Sequence, residues 1–168
     1  MTMACDMDRY TSRISASALF HVAARKIAHI DEQRRELNEK FLELCADDTP
    51  MVRRVAAQHL GKVAASATAE EVQMLFLPVF NTLAADDQDS VRIQVIQSAI
   101  LIASLESMQE SRGDILTVVL NLAQDRSWRV RWTAASNFPE TCESLYRAET
   151  AEALSDAFGA LLQDSEPE

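Results

Sequence analysis

One spacing recurs along the chain and constrains its fold more than any other feature. Aspartates stand 39 residues apart at Asp47, Asp86, Asp125 and Asp164 (86 − 47 = 125 − 86 = 164 − 125 = 39). Three apolar columns keep the same spacing: Leu37, Phe76, Ile115 and Leu154; Phe41, Phe80, Val119 and Phe158; and Leu44, Leu83, Leu122 and Leu161. A period of this length is typical of an array of stacked supersecondary units.

Each period contains two stretches with apolar residues at helical spacing. The pattern predicts helices at 11–30, 31–46, 49–65, 70–85, 90–105, 114–124, 127–145 and 149–163. Asp31 is the expected N-cap of one helix, and Thr49 before Pro50 is a helix-start signal. Pro78 and Pro139 fall inside predicted helices, where a missing backbone donor should kink or shorten them.

These helices predict an all-α fold, a solenoid of antiparallel helix pairs forming one segment over residues 1–168. The expected units are approximately 8–30 (partial), 31–67, 68–106, 107–147 and 148–168 (partial). The chain is thus expected to begin and end inside a unit. Terminal units of such arrays need polar caps. We therefore expect self-association through apolar faces left open at the ends, which carry Leu19, Phe20, Leu154 and Phe158.

Composition narrows the class of function. A formal charge of −10 disfavours a general nucleic-acid binder, and no stretch reaches the roughly 20 apolar residues of a membrane span. Cys5, Cys45 and Cys142 lack metal-ligand spacing. The last two are expected to be buried free thiols, which suits a reducing compartment, the cytoplasm and also the nucleus. The thirteen arginines and three lysines favour ordered ion pairs and protein contacts.

No set of residues for catalysis is visible in the sequence. His21, His29 and His59 are scattered across units, and no His-Glu pair supplies metal ligands. The chain also lacks a glycine-rich phosphate loop and a Ser-His-Asp arrangement. We therefore expect a protein that is not an enzyme and that binds no metal or cofactor.

The repeated string D-x-x-x-x-V-R has a structural interpretation. An aspartate in the turn between two helices can accept hydrogen bonds from N–H groups at the start of the second helix. The valine enters the core, and the arginine lies within reach of the aspartate of the next unit. The pattern predicts a ladder of ion pairs along one edge, formed by Asp47, Arg53, Asp86, Arg92, Asp125 and Arg131.

Helix pairs of this length with a turn aspartate and Val-Arg resemble HEAT repeats. The strings "CADDTPMVRR", "LAADDQDSVR", "DRSWRVRW" and "TSRISASALF" also resemble the scaffold (A) subunits of protein phosphatase 2A over roughly residues 8–168. The sequence departs from that family at the "NFPE" of residues 137–140. The resemblance implies a non-catalytic horseshoe whose turns form a ridge. An interior N-terminal part would hold a regulatory (B-type) subunit, and the catalytic subunit would bind a C-terminal part outside this chain.

Some residues near the turns are expected to do more than stabilise their own unit. Those expected to contact the regulatory subunit from the ridge are Pro50, Arg54, Asp87, Trp128 and Arg129. Trp128 replaces a small polar residue at the turn, as an interface anchor would. Trp132 lies in the helix body and is expected in the core. A generic HEAT-repeat adaptor, such as part of a nuclear transport receptor, remains the alternative, and no membrane or nucleic-acid partner is expected.

Overall fold

The structure is a computed structural model that describes residues 10–105 and 108–165. All regular elements in these two ranges are helical, which confirms the expected class. The helices are α1 (Tyr10–Ile27), α2 (Asp31–Cys45), α3 (Pro50–Ala64), α4 (Ala69–Glu71), α5 (Leu77–Ala84), α6 (Asp89–Ala103), α7 (Arg112–Ala123), α8 (Trp128–Ser136), α9 (Phe138–Leu145) and α10 (Ala151–Leu162). A π-helical segment, Val72–Phe76, joins α4 to α5, and a 3₁₀ turn, Ala148–Thr150, precedes α10.

The helices form a stack of pairs. The first helices of successive units are α2, then α4 with α5, then α7. The second helices are α3, then α6, then α8 with α9. The most extensive contacts join consecutive second helices, α1 with α3 and α3 with α6. α1 therefore takes the place of a second helix, and α10 that of a first. The expected HEAT-repeat solenoid is confirmed.

The unit boundaries stay predictions. Those near residues 30, 67 and 147 fall between helices. The boundaries at residues 8, 106–107 and 168 lie outside the described residues. No helix in the described part of the chain is both long and apolar enough to cross a membrane.

The apolar columns of the 39-residue period build the core between the helices. The first column, Leu37, Phe76, Ile115 and Leu154, is buried in all four units. Buried phenylalanines in the second column, Phe41 and Phe80, are completely shielded from solvent. Truncating a buried phenylalanine to alanine typically costs about 3–5 kcal/mol. The stability of each unit therefore depends on the residue that it contributes to the column. α6 is buried on several sides because α3, α5, α7, α8 and α9 all pack against it.

Both internal prolines interrupt a helix, as predicted. Before Pro78 the backbone widens into the π-helical segment, and the N–H of Leu77 donates to the carbonyl of Val72, five residues back. This wider turn accommodates a residue that has no N–H of its own. At the second site, α8 ends at Ser136 and α9 begins at Phe138, with Pro139 in its first turn.

The structure corrects two predictions about helix starts. Asp31 is the first residue of α2, and Ile30 occupies the N-cap position, so the aspartate does not cap that helix. Thr49 does stand at the N-cap of α3, but its side chain makes no capping hydrogen bond. Its hydroxyl accepts a hydrogen bond from Arg13 Nη2 of α1 at 3.2 Å instead. The Thr49 side chain therefore bonds to the preceding unit and does not cap its own helix.

Three predictions of exposure were wrong. Trp132 is 50% exposed because Val130 and Ala134, on the other side of α8, face the core. Phe20, expected to lie open, is buried against Phe41 with ring centroids 5.5 Å apart. Leu154, also expected to lie open, is only 3% exposed. In contrast, Leu19 and Phe158 are exposed as predicted.

α3 and α6 approach each other closely at Gly61. The N–H of Gly61 donates to Ser98 Oγ at 3.0 Å, and that hydroxyl donates to the carbonyl of Ala57 at 2.7 Å. A Cβ at position 61 would lie 2.9 Å from Leu101 Cβ and 3.0 Å from the backbone of Ser98. Because real Cβ contacts are longer, a glycine is required for this crossing distance.

Candidate protein interaction site

Each turn between paired helices is closed by its aspartate. Asp47 Oδ1 accepts a hydrogen bond from the backbone N–H of Thr49 at 2.8 Å. Asp86 accepts from Gln88 at 2.9 Å, and Asp125 accepts from Ser127 at 2.8 Å. A side chain that bonds to the backbone two residues later forms an Asx-turn, which fixes the loop locally. All three turns therefore have the same closure.

The arginine of each D-x-x-x-x-V-R string donates a hydrogen bond to the backbone of the turn in its own unit. Arg53 Nη1 donates to the backbone carbonyl of Asp47 at 2.7 Å. Arg92 donates in the same way to the carbonyl of Asp86 at 2.7 Å, and Arg131 donates to that of Asp125 at 2.9 Å. A guanidinium with several donors in one plane can hold a carbonyl while pairing elsewhere. The turn is thus fixed from inside its own unit.

The same three arginines, and Arg13 of α1, also join successive units. Each uses Nε and Nη2 to hold both carboxylate oxygens of the next turn aspartate, the bidentate geometry that gives strong ion pairs. The closest distances are 2.7 Å for Arg13 to Asp47, 2.7 Å for Arg53 to Asp86, 2.7 Å for Arg92 to Asp125 and 2.5 Å for Arg131 to Asp164. We name these four pairs the ladder. It includes Arg13 and Asp164, which the sequence interpretation left outside.

The electrostatics of the ladder favour full ionisation. Burial alone would raise the pKa values of Asp47, Asp86 and Asp125. Hydrogen bonds from the paired arginine and from the turn N–H outweigh burial, so each carboxyl has a pKa below its ordinary value. The aspartate partners in turn raise the pKa values of Arg53 and Arg92. These three carboxylates therefore carry their charges at neutral pH.

The side chains predicted to contact a partner lie at the surface beside the ladder. Pro50, Arg54, Asp87 and Arg129 are exposed, and Trp128 is 41% exposed. Pro50 and Trp128 occupy the same repeat position two units apart (128 − 50 = 78, twice 39). The structure thus places these residues along one edge, which we name the ridge.

The ridge has few internal bonds of its own. Arg129 Nη1 lies 3.6 Å from Asp89 Oδ2, a longer separation than in the ladder. The Asp87 backbone carbonyl accepts a hydrogen bond from Arg126 Nη2 at 3.3 Å. Ser127 Oγ donates to Asp89 at 2.9 Å and connects the second turn to the third. The exposed guanidiniums therefore remain near the surface, where a partner can reach them.

The sequence interpretation missed two exposed apolar residues next to the ridge. Met51 is 47% exposed beside Pro50, and Trp132 is 50% exposed one helical turn after Trp128. A signal for Trp132 was present, because it occupies the repeat position of Arg54 (132 − 54 = 78, twice 39). Aligning the units by their surface positions as well as by their core would have placed it outside.

The histidines are not all scattered, which corrects the sequence interpretation. The rings of His21 in α1 and His59 in α3 stack 4.8 Å apart and nearly parallel, at 4°. Burial, followed by the charges of His21 and Lys62, lowers the pKa of His59 to about 4. In the described ranges, no group of three or more His, Cys, Asp or Glu is placed to hold a metal ion.

The cysteines show no common site. Cys45 is buried in α2, and burial raises the pKa of its thiol. Cys142 is only partly buried, so the prediction that it is buried was too strong. Burial nevertheless raises its pKa as well. Cys5 lies outside the described residues.

Comparison with known proteins relates this chain to a family and to individual proteins. A family model described as "Sister chromatid cohesion protein PDS5 protein" matches residues 6–160. The chain belongs to that family. The family description names chromatid cohesion, whereas the curated relatives of this PDS5-family chain are named for a different assembly.

Those relatives are components of a phosphatase. The chain is 37% identical over 130 residues to the A-type regulatory subunit of protein phosphatase PP2A from Schizosaccharomyces pombe, covering 77% of this chain and 22% of that protein. It is 42% identical over 73 residues to "Protein phosphatase 2A scaffold subunit" of Dictyostelium discoideum, covering 44% and 12%. These relatives confirm the resemblance to the scaffold subunits. The chain spans about a fifth of their length or less.

One solved structure shows how far the likeness extends. A HEAT-like repeats protein from Thermococcus onnurineus NA1 is 13% identical and superposes with a TM-score of 0.41. The match covers 92% of this chain and 75% of that one. A likeness this distant supports no argument about function.

Proposed function

We propose that this chain is a non-catalytic scaffold segment of a serine/threonine protein phosphatase 2A, which presents its turns to a regulatory (B-type) subunit. The names of its relatives, which are PP2A regulatory and scaffold subunits, support this assignment. The observation that carries it is the ridge, a row of exposed proline, arginine and tryptophan side chains on turns fixed by the ladder.

Rigid turns suit a scaffold. Association loses less free energy when the contacting segment is already ordered, because little conformational entropy remains to be lost. Asp86 closes its own turn and is held by Arg53 of the preceding unit at 2.7 Å. Trp128 and Arg129 belong to the residue types that most often anchor interfaces. A partner would therefore meet a preformed row of contacts.

We infer that the segment takes no direct part in catalysis and binds no cofactor, since its relatives are named as regulatory and scaffold subunits. The catalytic subunit is proposed to contact another part of the longer scaffold. A cytoplasmic location, with access to the nucleus, follows from the same proposal.

Affinity purification from a lysate of the source cell tests the assignment. The full chain is the bait, and bound proteins are identified by mass spectrometry. A control bait carries Arg54→Ala and Trp128→Ala, which removes two ridge side chains and leaves the ladder intact. We expect a phosphatase regulatory subunit with the wild-type bait and its depletion with the control.

A second candidate function is an adaptor in another assembly, which the family description favours. Capture of cohesion proteins or nuclear import cargo, with no phosphatase subunit, would contradict the phosphatase assignment and support the adaptor. Direct titration of a purified regulatory subunit into the purified chain, followed by calorimetry, then decides whether the contact is direct.

A further inference from the structure

The two tryptophans of the chain form one exposed surface. Trp128 is 41% exposed and Trp132 is 50% exposed. Both belong to α8, and residues four apart on a helix are neighbours on one face. They are the only tryptophans in the sequence. Together they place two large aromatic rings on the outer side of the third unit.

Packing inside the unit does not account for Trp132. Val130 and Ala134 supply the buried face of α8, and the tryptophan lies between them on the opposite side. At the same repeat position the earlier units carry Arg54, which is exposed, and Ile93, which is partly buried. Adjacent exposed apolar side chains of this size are typical of interaction sites.

The segment that carries the two rings is positively charged, although the chain is acidic and Asp87 and Asp89 lie beside this segment. Residues 126–136 contain Arg126, Arg129 and Arg131 and no aspartate or glutamate, whereas the formal charge of the whole chain is −10. Arg131 is paired with Asp164 in the ladder. Arg126 and Arg129 are exposed, and Arg129 is 3.6 Å from its nearest carboxylate. Two guanidiniums thus flank the aromatic surface.

We propose that Trp132 extends the ridge by one helical turn, and that both tryptophans receive an apolar side chain from an acidic segment of the partner protein. The partner's carboxylates would pair with Arg126 and Arg129. This inference rests on the proposed function, because the partner is the regulatory subunit. The two tryptophans favour a protein segment over a nucleic acid, since a protein can supply an apolar side chain together with its carboxylates.

The aromatic contact is tested by fluorine NMR on the full chain labelled with 5-fluorotryptophan. Unlabelled, purified phosphatase 2A regulatory subunit is added, so only the two tryptophans of this chain are observed. The variant Trp128→Phe assigns the signal of Trp132. We expect both resonances to shift or broaden on binding. We also expect Trp132→Ala to weaken binding about tenfold or more, while Tyr10→Ala, an exposed aromatic off the ridge, changes it less than about twofold.

The charge of the segment is tested separately. Arg126→Glu should weaken binding about tenfold, whereas Arg35→Glu, an exposed arginine on α2, should change it less than about twofold. Binding with an unchanged Trp132 resonance, or without any effect of Trp132→Ala, overturns this inference and leaves the proposed function standing. Absence of binding by the wild-type chain overturns both. The inference is also overturned if a single-stranded oligonucleotide shifts the resonances and the regulatory subunit does not.

Discussion

Single residues on the ridge and in the ladder have different roles, although they are neighbours in sequence. Arg53 joins two turns and is largely shielded, whereas Arg54 is exposed and is not one of the ladder residues. Val130 enters the core while Trp128, two residues earlier, stays at the surface. Mutations at adjacent positions should therefore separate into losses of stability and losses of binding.

Truncation of Trp128 is expected to affect binding far more than folding. Trp128→Ala should weaken binding of a regulatory subunit by about 2 kcal/mol or more, because a central aromatic anchor is lost. The same change should alter the free energy of unfolding by roughly 0.5 kcal/mol, as is usual for exposed sites. Calorimetric titration and urea unfolding measure the two. A large loss of stability with unchanged affinity would assign Trp128 to a structural role.

The opposite result is expected for Arg92. Its side chain is 5% exposed and pairs with Asp125, whose own side chain is 11% exposed. Arg92→Ala should destabilise the fold by about 3 kcal/mol, because it leaves a shielded carboxylate without its partner. Lys40→Ala, which removes an exposed pair with Glu43 inside α2, should cost about 0.5 kcal/mol or less. Equal effects in urea unfolding would contradict the structural importance of the ladder.

At the level of helices, the contact between α3 and α6 depends on one missing side chain. Gly61→Ala should destabilise the chain by about 1–3 kcal/mol, since the new Cβ would press on Leu101 and the Ser98 backbone. This loss opposes the gain of about 1 kcal/mol that alanine gives in an open helix.

Gly113 of α7 provides the matched control. An added Cβ there meets nothing within 4 Å, so Gly113→Ala should stabilise the chain. Thermal unfolding followed by circular dichroism compares the two variants. A rise in melting temperature for both would show that α3 and α6 can separate without loss.

The helices were predictable from sequence because their burial repeats with a fixed period. Leu37, Phe76 and Ile115 mark the same core position in every unit. The π-helical segment before Pro78 was not predictable in this way, because it depends on the N–H of Leu77 bonding five residues back. The outward direction of Trp132 was missed because its repeat position is not one of the core columns. The His21–His59 stack was missed because their spacing of 38 breaks the period by one residue.

For the whole molecule, stability should depend on pH in two windows. Because the pKa of His59 is lowered from 6.5 to about 4, the unfolded chain binds more protons between these values. Stability is therefore present above pH 6.5 and is lost as the pH falls toward 4. His59→Gln should flatten this slope in urea unfolding measured from pH 7.5 to 4.5. Parallel slopes for the variant and the wild type would contradict the assignment.

Three ladder aspartates, Asp47, Asp86 and Asp125, produce the lower window. Their pKa values lie below the ordinary 3.8, so their stabilising contribution persists above that value and is lost as the pH falls through the folded pKa. This second loss should remain in the His59→Gln variant, which separates the two causes.

The chain is also expected to associate with itself. Phe158 is 48% exposed and Leu162 is 72% exposed, beside a groove of about 350 Å³ that is lined by Phe138, Cys142, Tyr146 and Leu154 among others. Replacing Phe158 and Leu162 by serine should shift the sedimentation distribution toward monomer, because apolar surface is removed. Met74→Ser, at an exposed site on the π-helical segment, should not. A monomeric wild type at high concentration would contradict the prediction.

The ladder gives the array a mechanical asymmetry. Every turn is tied to the next by a doubly bonded guanidinium, so the edge that carries the turns resists stretching. At the far ends of the helices, the ion pair between units described in the two ranges is that of Arg34 with Glu71. The stack should therefore flex more easily at the far ends of the helices than along the edge that carries the turns. Curvature can then change while the distances from turn to turn stay constant.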